Sequence, residues 1–385
     1  MSSKKSIKFL AYYLPQFHPI PENDAWWGKG FTEWTNVKKA IPLFKGHQQP
    51  IVPGELGYYD LLEQPEIQGQ QAQLAKEYGV DGFIYYQYWF GNGKMVLEQP
   101  AERMLKDKSI ELPFCFCWAN ETWRGIWHGL DNPGIIIEQL YPGELDYIAY
   151  FNYLLPFFKD ERYLKVNNKP MFHVYRLDDI PDINLFISLF NQLAIANGFD
   201  GIYFIGTVNV FSDIVLNDDR IYGVVGIDSF QKLRYSQLFH FKQDTFLFKV
   251  ERKILSLFGY FDAMGKRKKP LVVDYAKGLK RLTIDFPHSK YIPCVIPNWD
   301  NSPRSGKKSM IFINSSPDAF YNYFKELMNC IIKQSKPPKF IVLKSWNEWA
   351  EGNYLEPDAV HGRKWLEVIL RIKNEFLQKV INDKN

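Results

Sequence analysis

The chain has 385 residues, of which 46% are hydrophobic and 17% are aromatic, and its formal net charge is only +4. This is enough apolar material for one large core, and we predict a single domain over residues 1–385. So small a charge argues against a broad basic face and therefore against a nucleic-acid-binding protein.

Eight short apolar runs of strand character recur along the chain, separated by helical stretches. In order, they are IKFLAYYLP, DGFIYYQYW, LPFCFCWA, PMFHVYR, GIYFIGTV, GVVGIDSF, YIPCVIPNW and FIVLKSW. Helical patterns occupy 66–78, 144–158, 183–196 and 318–334. Apolar strands that alternate with helices predict an α/β fold with a parallel sheet, and eight of them predict a (β/α)8 TIM-type barrel with elaborated loops.

Two of the four cysteines, Cys115 and Cys117, lie in the third apolar run. They would share one face of a strand, as a metal pair requires. No second Cys/His pair with ligand spacing follows, which favours free thiols in the core and no metal site. Because no run of 18 apolar residues occurs either, we predict a cytoplasmic, reduced protein.

One segment, residues 245–269, combines apolar bulk with a dense group of lysines and arginines. Basic runs are usually solvated, which favours a basic turn over the side of the barrel. The alternative is peripheral contact with an anionic membrane surface, at the inner face of the membrane.

Polar and aromatic residues concentrate where the apolar runs end, and in a barrel the loops after the strands carry the chemistry. Flat apolar rings bordered by polar groups suit the C–H faces and hydroxyl edges of sugars. The residues predicted to bind sugar are Tyr85, Tyr88, Trp118, Asn120, Glu121, His173, Tyr175, Asp228, Trp299, Asp300, Trp346, Asn347 and Trp349. For any one of them, an internal hydrogen bond is the alternative.

The eighth apolar run leads into WNEWAEGNYLE, which contains three glutamates. If Glu348 and Glu351 lie on one helical turn, their Cβ atoms are about 5–6 Å apart. Glycoside chemistry uses such a pair, with one carboxyl protonated and the other ionised, and close spacing favours retention. The alternative is that they cap the next helix or pair with Arg304 or Arg363. Glu356 precedes a proline and is not assigned to catalysis.

Five long stretches together resemble a known family, in the same order along the chain. They are YYLPQFHPIPENDAWWGKGFTEWTNV, FCFCWANETWRGIWHG, IIIEQLY, IPNWDNSPRSG and SWNEWAEGNYLEPD. They resemble the WbsX-type polysaccharide-biosynthesis proteins, which are similar in turn to glycoside hydrolase family 99, the endo-α-mannosidases. The resemblance covers residues 7–376 and implies a (β/α)8 barrel.

The resemblance also implies a mechanism, because the match is strongest at N-E-W-x-E-G-x-x-x-E-P. Glu348 would remove the proton from the sugar 2-hydroxyl, which then attacks the anomeric carbon to form a 1,2-anhydro sugar. Glu351 would protonate the leaving oxygen and later deprotonate the incoming water or acceptor. The mechanism needs no metal and no nucleotide, so no cofactor is expected.

The function predicted from these features is cleavage or transfer of glycosidic bonds, with retention, in surface polysaccharide (O-antigen or capsule) metabolism. The substrate would be a glycan or a lipid-linked oligosaccharide. One alternative is a glycosyltransferase that uses a nucleotide- or lipid-linked donor, although the sequence has no Asp-x-Asp motif and no dinucleotide fingerprint. Another is a non-catalytic glycan-binding scaffold.

Overall fold

A computed structural model of the protein describes residues 7–125, 134–207, 218–225, 246–258, 268–281, 290–334 and 336–382. Within these ranges, the centre of the molecule is a ring of parallel strands. The strands of the ring are β1 Lys8–Tyr13, β2 Gly82–Trp89, β3 Phe114–Trp118, β4 Lys169–Val174, β5 Tyr203–Thr207, β6 Ile221–Val225, β7 in two pieces, Tyr291–Ile292 and Cys294–Val295, and β8 Phe340–Leu343. Each coincides with one of the predicted runs.

The two pieces of β7 close the ring. From β1 to β6, each strand pairs in parallel with the next one along the chain. Tyr291–Ile292 then pairs with β6, and Cys294–Val295 pairs with β8. The interruption is Pro293, which has no N–H to donate to a ladder. Since β8 pairs in parallel with β1, the fold is a (β/α)8 barrel, as predicted.

Helices follow most of the strands. They are α1 Pro21–Trp27, α2 Glu33–Lys39, α3 Glu66–Glu77, α4 Gln99–Lys106, α5 Glu144–Lys159, α6 Ile183–Ala196, α7 Phe246–Leu257, α8 Tyr275–Arg281, α9 Ser302–Ser305, α10 Pro317–Ile332 and α11 Lys364–Asn382. The four helical patterns taken from the sequence correspond to α3, α5, α6 and α10. Of the helices in the described ranges, none has the length and apolar character needed to cross a membrane.

Short strands outside the ring shape its loops. Leu271–Asp274 pairs in parallel with Met310–Ile313 beside the barrel, and Asn347–Glu348 pairs in antiparallel with Asn353–Tyr354 after β8. The remaining short strands are Met95–Val96, Trp123–Arg124, Ile135–Ile137 and Lys165–Val166.

Strand alternation decides which side chains reach the barrel interior. On β2, Tyr86 points inward and stacks on Tyr12 of β1, with ring centroids 5.0 Å apart. Trp89 points outward and stacks on Tyr150 of α5 at 4.8 Å. Only alternate residues of a strand can therefore face a cleft at its carboxyl end. The four cysteines are all free thiols, in agreement with the prediction.

Candidate active site

The loop after β8 forms a hairpin that presents two glutamates to a cleft. Glu348 ends its first short strand, and Glu351 lies in the 3-10 turn that follows. Gly352 ends this turn with a φ of 54°. A Cβ at Gly352 would lie 2.8 Å from the backbone nitrogen of Asp300, so glycine is needed for the hairpin to pack against its neighbour. Both glutamates line the cleft.

Five charged side chains follow one another in a row, of which four line this cleft and the fifth, Glu33, is fully buried. Lys344 Nζ lies 3.8 Å from Glu348 Oε2. The carboxyl groups of Glu348 and Glu351 come next in the row and shift each other's pKa values. Arg304 donates to Glu351 Oε1 at 2.8 Å and to Glu33 Oε1 at 2.6 Å. We call these five residues, Lys344, Glu348, Glu351, Arg304 and Glu33, the charge row.

The surroundings of the paired glutamates drive their pKa values apart. Burial acts to raise the pKa of Glu348, but Lys344, the hydrogen bond from Glu351 and the charge of Arg304 outweigh it and lower this pKa. For Glu351, burial and the charge of Glu348 outweigh Arg304 and raise the pKa to about 8. At neutral pH the pair therefore carries one proton, which resides on Glu351.

Aromatic and polar side chains form the walls of the cleft. Ring faces come from Tyr86, Tyr88, Trp123 and Tyr175, and polar groups come from Gln16, Asn23 and Glu121. Of the predicted binding residues, Tyr88, Glu121 and Tyr175 are thus brought together with the glutamate pair. Asn23 is only 1% exposed, and its amide nitrogen has no hydrogen-bond partner among the described residues.

Three predicted binding residues, Tyr85, Trp118 and His173, do not line the cleft. Tyr85 and Trp118 lie on the outward faces of β2 and β3, where Tyr85 packs near Phe114 and Trp118 packs on Phe186 of α6. His173 is fully buried within the barrel, and burial lowers its pKa to about 3. Asp228 lies outside the described residues.

Three more of these residues make internal contacts near the cleft. Asn120 donates to the backbone oxygen of Arg176 at 2.8 Å and accepts from its backbone nitrogen at 2.9 Å. Asp300 pairs with His47 at 2.7 Å. Trp299 belongs to the apolar cluster around the strand pair beside the barrel. Asn120 and Asp300 therefore have internal polar partners, which was the alternative to sugar binding.

The last three hold the glutamate hairpin in place. The carboxyl of Glu356 is fully buried and accepts hydrogen bonds from four side chains, which are Tyr59, Gln71, Trp346 and Trp349. We call these five residues the anchor network. Asn347 adds two hydrogen bonds to the backbone of Leu14, at 2.8 and 3.0 Å. Both tryptophans of the motif therefore point away from the cleft.

The cleft residues that sequence reasoning missed include Gln16, Asn23, Tyr86, Trp123 and Lys344, and it used Arg304 only as a structural partner for the glutamates. Lys344 could have been found, because it directly follows the apolar run of β8 and precedes Glu348 by four positions. Gln16 and Asn23 lie in the long polar loop after β1, where nothing in their spacing distinguishes them from their neighbours.

Solved structures place this fold in a recognised class of barrel proteins. The GH99 endo-alpha-mannosidase from Bacteroides thetaiotaomicron is 16% identical with a TM-score of 0.53, and the alignment covers 97% of this chain and 98% of that one. A glycoside hydrolase-like protein is 12% identical with a TM-score of 0.56, covering 97% and 95%. These similarities show a shared (β/α)8 fold.

The chain belongs to the family described as Glycosyltransferase WbsX, whose model matches residues 9–369. The Uncharacterized protein WxcX of Xanthomonas campestris pv. campestris (strain B100) is 35% identical over 365 residues, which cover 93% of this chain and 48% of that protein. The chain spans about half the length of the curated relatives it matches.

Proposed function

We propose that the protein cleaves or transfers glycosidic bonds with retention, using Glu348 and Glu351. The observation that carries the proposal is a pair of buried carboxyl groups, Glu348 and Glu351, that line one cleft walled by aromatic rings and have pKa values driven apart. The two residues are three positions apart in one hairpin, and close carboxyl groups favour retention, whereas inverting enzymes need them about 6.5–9.5 Å apart.

In the proposed first step, Glu348 takes the proton of the sugar 2-hydroxyl. The electron pair of the 2-oxygen forms a bond to the anomeric carbon, which gives a 1,2-anhydro sugar. The glycosidic bond breaks, and its electron pair stays on the leaving oxygen, which takes the proton of Glu351. Water or a sugar hydroxyl then opens the three-membered ring as Glu351 accepts its proton, and Glu348 returns its own to the 2-oxygen.

We propose surface polysaccharide, or the lipid-linked oligosaccharide from which it is assembled, as the substrate. Membership of the WbsX family supports this class. The cleft supports a carbohydrate in general terms, since Tyr88 and Trp123 offer ring faces while Asn23 and Glu121 offer hydrogen-bonding groups for hydroxyls.

The test is to incubate the purified protein with surface polysaccharide and lipid-linked glycan from its source, without an activated donor, and to measure new reducing ends. Glu351→Gln removes the acidic proton, and Glu367→Gln, which removes a charge on the exposed side of α11, is the matched control. We expect reducing ends with the unmodified protein and with Glu367→Gln, and none with Glu351→Gln.

Two results would contradict the proposal. Equal release by the unmodified protein and Glu351→Gln would remove Glu351 from the chemistry. If no reducing ends form, and sugar is transferred only when a nucleotide- or lipid-linked donor is added, the protein is a donor-dependent glycosyltransferase.

We also propose that helix α7 rests on an anionic lipid surface on the cytoplasmic side of a membrane. Its apolar residues Phe246 and Leu257 are 78% and 81% exposed, and Lys249 and Lys253 are exposed beside them. The free cysteines fit a reducing compartment.

Co-sedimentation of the protein with lipid vesicles tests this proposal. It should be strong with phosphatidylglycerol vesicles, weak with phosphatidylcholine vesicles and reduced by Phe246→Ser. Self-association through this helix without lipid would contradict the proposal.

A further inference from the structure

Lys344 stands at the end of the charge row in a rigid backbone position. It follows β8 directly, and its backbone nitrogen donates to the backbone oxygen of Val295 on β7 at 2.9 Å. Its backbone oxygen accepts from Asn353 Nδ2 at 2.7 Å. The side chain is 10% exposed and lines the cleft. The backbone from which its side chain enters the cleft is therefore held by the barrel itself.

The ammonium group of Lys344 lies over the ring of Trp299, 5.5 Å from the ring centroid, and makes no hydrogen bond to any described residue. Its nearest charged partner, Glu348 Oε2, is 3.8 Å away, which is beyond hydrogen-bond distance. Other partly buried lysines differ: Lys165 donates to the backbone oxygen of Asp160 at 2.8 Å, and Lys373 donates to that of Gly79 at 2.8 Å. Because a buried ammonium needs acceptors, Lys344 is prepared for one that arrives from the cleft.

A single oxygen atom placed beside Lys344 and Glu348 can contact both groups at once. An oxygen about 2.8 Å from Nζ and about 2.8 Å from Oε2 forms a triangle whose third side can be 3.8 Å. Such an oxygen would accept a hydrogen bond from the ammonium while its own proton is donated to the carboxylate. A sugar hydroxyl has this combination of acceptor and donor.

We propose that Lys344 binds the sugar 2-oxygen and stabilises the negative charge that develops on it as Glu348 removes its proton. The inference rests on the proposed function, in which Glu348 acts on the 2-hydroxyl. A carboxylate is a weak base for an alcohol, so the transfer depends on stabilising the oxygen that loses the proton. The proton goes to Glu348, the electron pair of the 2-oxygen goes to the anomeric carbon, and Lys344 keeps all its protons.

The test compares the unmodified protein with Lys344→Met, Lys344→Gln and Lys344→Arg in the reducing-end assay with surface polysaccharide. Lys106→Met, on the exposed side of α4, is the matched control. We expect Met and Gln to lower kcat by about 10²–10³ at the pH optimum, with KM changed less than about threefold, because the charge acts mainly in the transition state. Arg should restore part of the loss. Thermal melting identifies variants that fail to fold, and Gln serves if Met does not fold.

Different results separate this inference from the proposed function. If Lys344→Met and Lys344→Gln keep full kcat at their pH optimum and only move the acidic limb of the pH profile upward, Lys344 merely tunes Glu348, and the inference is wrong while the function stands. A raised KM with unchanged kcat would also overturn it. If Glu351→Gln is as active as the unmodified protein, the proposed function fails, and this inference fails with it.

Discussion

The charge row and the anchor network place two buried glutamates of one loop in opposite surroundings. Glu351 lies between a cation, Arg304, and a second carboxyl, Glu348, and it faces the cleft. Glu356, five positions later, accepts from neutral groups only, two of them indole N–H groups. Burial raises the pKa of Glu356 to about 7, and its hydrogen bonds limit that rise. Burial alone therefore does not mark a catalytic carboxyl; the kind of partner does.

The largest effect is expected when one glutamate of the charge row is replaced, and it should fall on the rate of the chemical step. Glu348→Gln and Glu351→Gln should each lower kcat by about 10²–10⁴, because each removes one half of the proton exchange. Glu351→Gln should leave the free energy of unfolding unchanged or raise it, because burial and Glu348 disfavour the charge of Glu351, whereas Glu348→Gln should lower it because the buried Lys344 loses its nearest charged partner. Reducing-end kinetics and urea titration measure the two quantities. Loss of folding without loss of specific activity would place Glu351 with the anchor network.

Glu356→Ala should mainly reduce the stability of the fold and leave the rate per folded molecule nearly unchanged. It leaves the indole N–H groups of Trp346 and Trp349 without acceptors, and each buried orphan donor costs about 1–3 kcal/mol. We expect the free energy of unfolding to fall by at least about 3 kcal/mol in urea titration, while kcat per folded molecule changes less than about tenfold. A stable but inactive Glu356→Ala protein would show that the hairpin anchor has a chemical role.

The barrel was predictable from the sequence, and the division of the loop into these two networks was not. Eight apolar runs with helices between them leave few alternatives to a ring of parallel strands. Position at a strand end correctly brought Tyr88, Glu121 and Tyr175 into the cleft. It could not show that Trp346 turns away from the cleft, because the carboxyl that accepts its indole N–H, that of Glu356, is recognised only once the hairpin is folded.

A similar limit applies to the outward and inward faces of the strands. Tyr85 and Tyr86 are adjacent aromatic residues in one apolar run, and a shift of one position exchanges which of them faces the barrel interior.

The contact between Lys344 and Glu348 was also beyond the reach of the sequence. Lys344 lies at the end of an otherwise apolar strand, and its pairing with Glu348 depends on how the chain turns between them.

The pH dependence of activity also distinguishes the pair Glu348 and Glu351 from Glu356. In the proposed mechanism Glu348 must be ionised, so activity should fall as the pH drops through its lowered pKa. Glu351 must be protonated in that mechanism, so activity should fall as the pH rises through about 8. Profiles of kcat/KM should keep both limbs in Glu356→Gln, measured below its melting temperature. Loss of a limb in that variant would mean that the titration of Glu356 controls the rate.

The smallest expected effect comes from one substitution made on the two faces of β2. Tyr88 lines the cleft beside Trp123, whereas Tyr85 packs against Tyr13, whose hydroxyl donates to Gln71 of the anchor network. Tyr88→Leu should raise KM about tenfold by removing a ring face for a sugar. Tyr85→Leu should leave KM unchanged and lower the free energy of unfolding by about 1–3 kcal/mol, since it removes core packing instead. Equal changes in KM would show that the cleft is not organised by strand alternation, because only one of these rings can reach it from a regular strand.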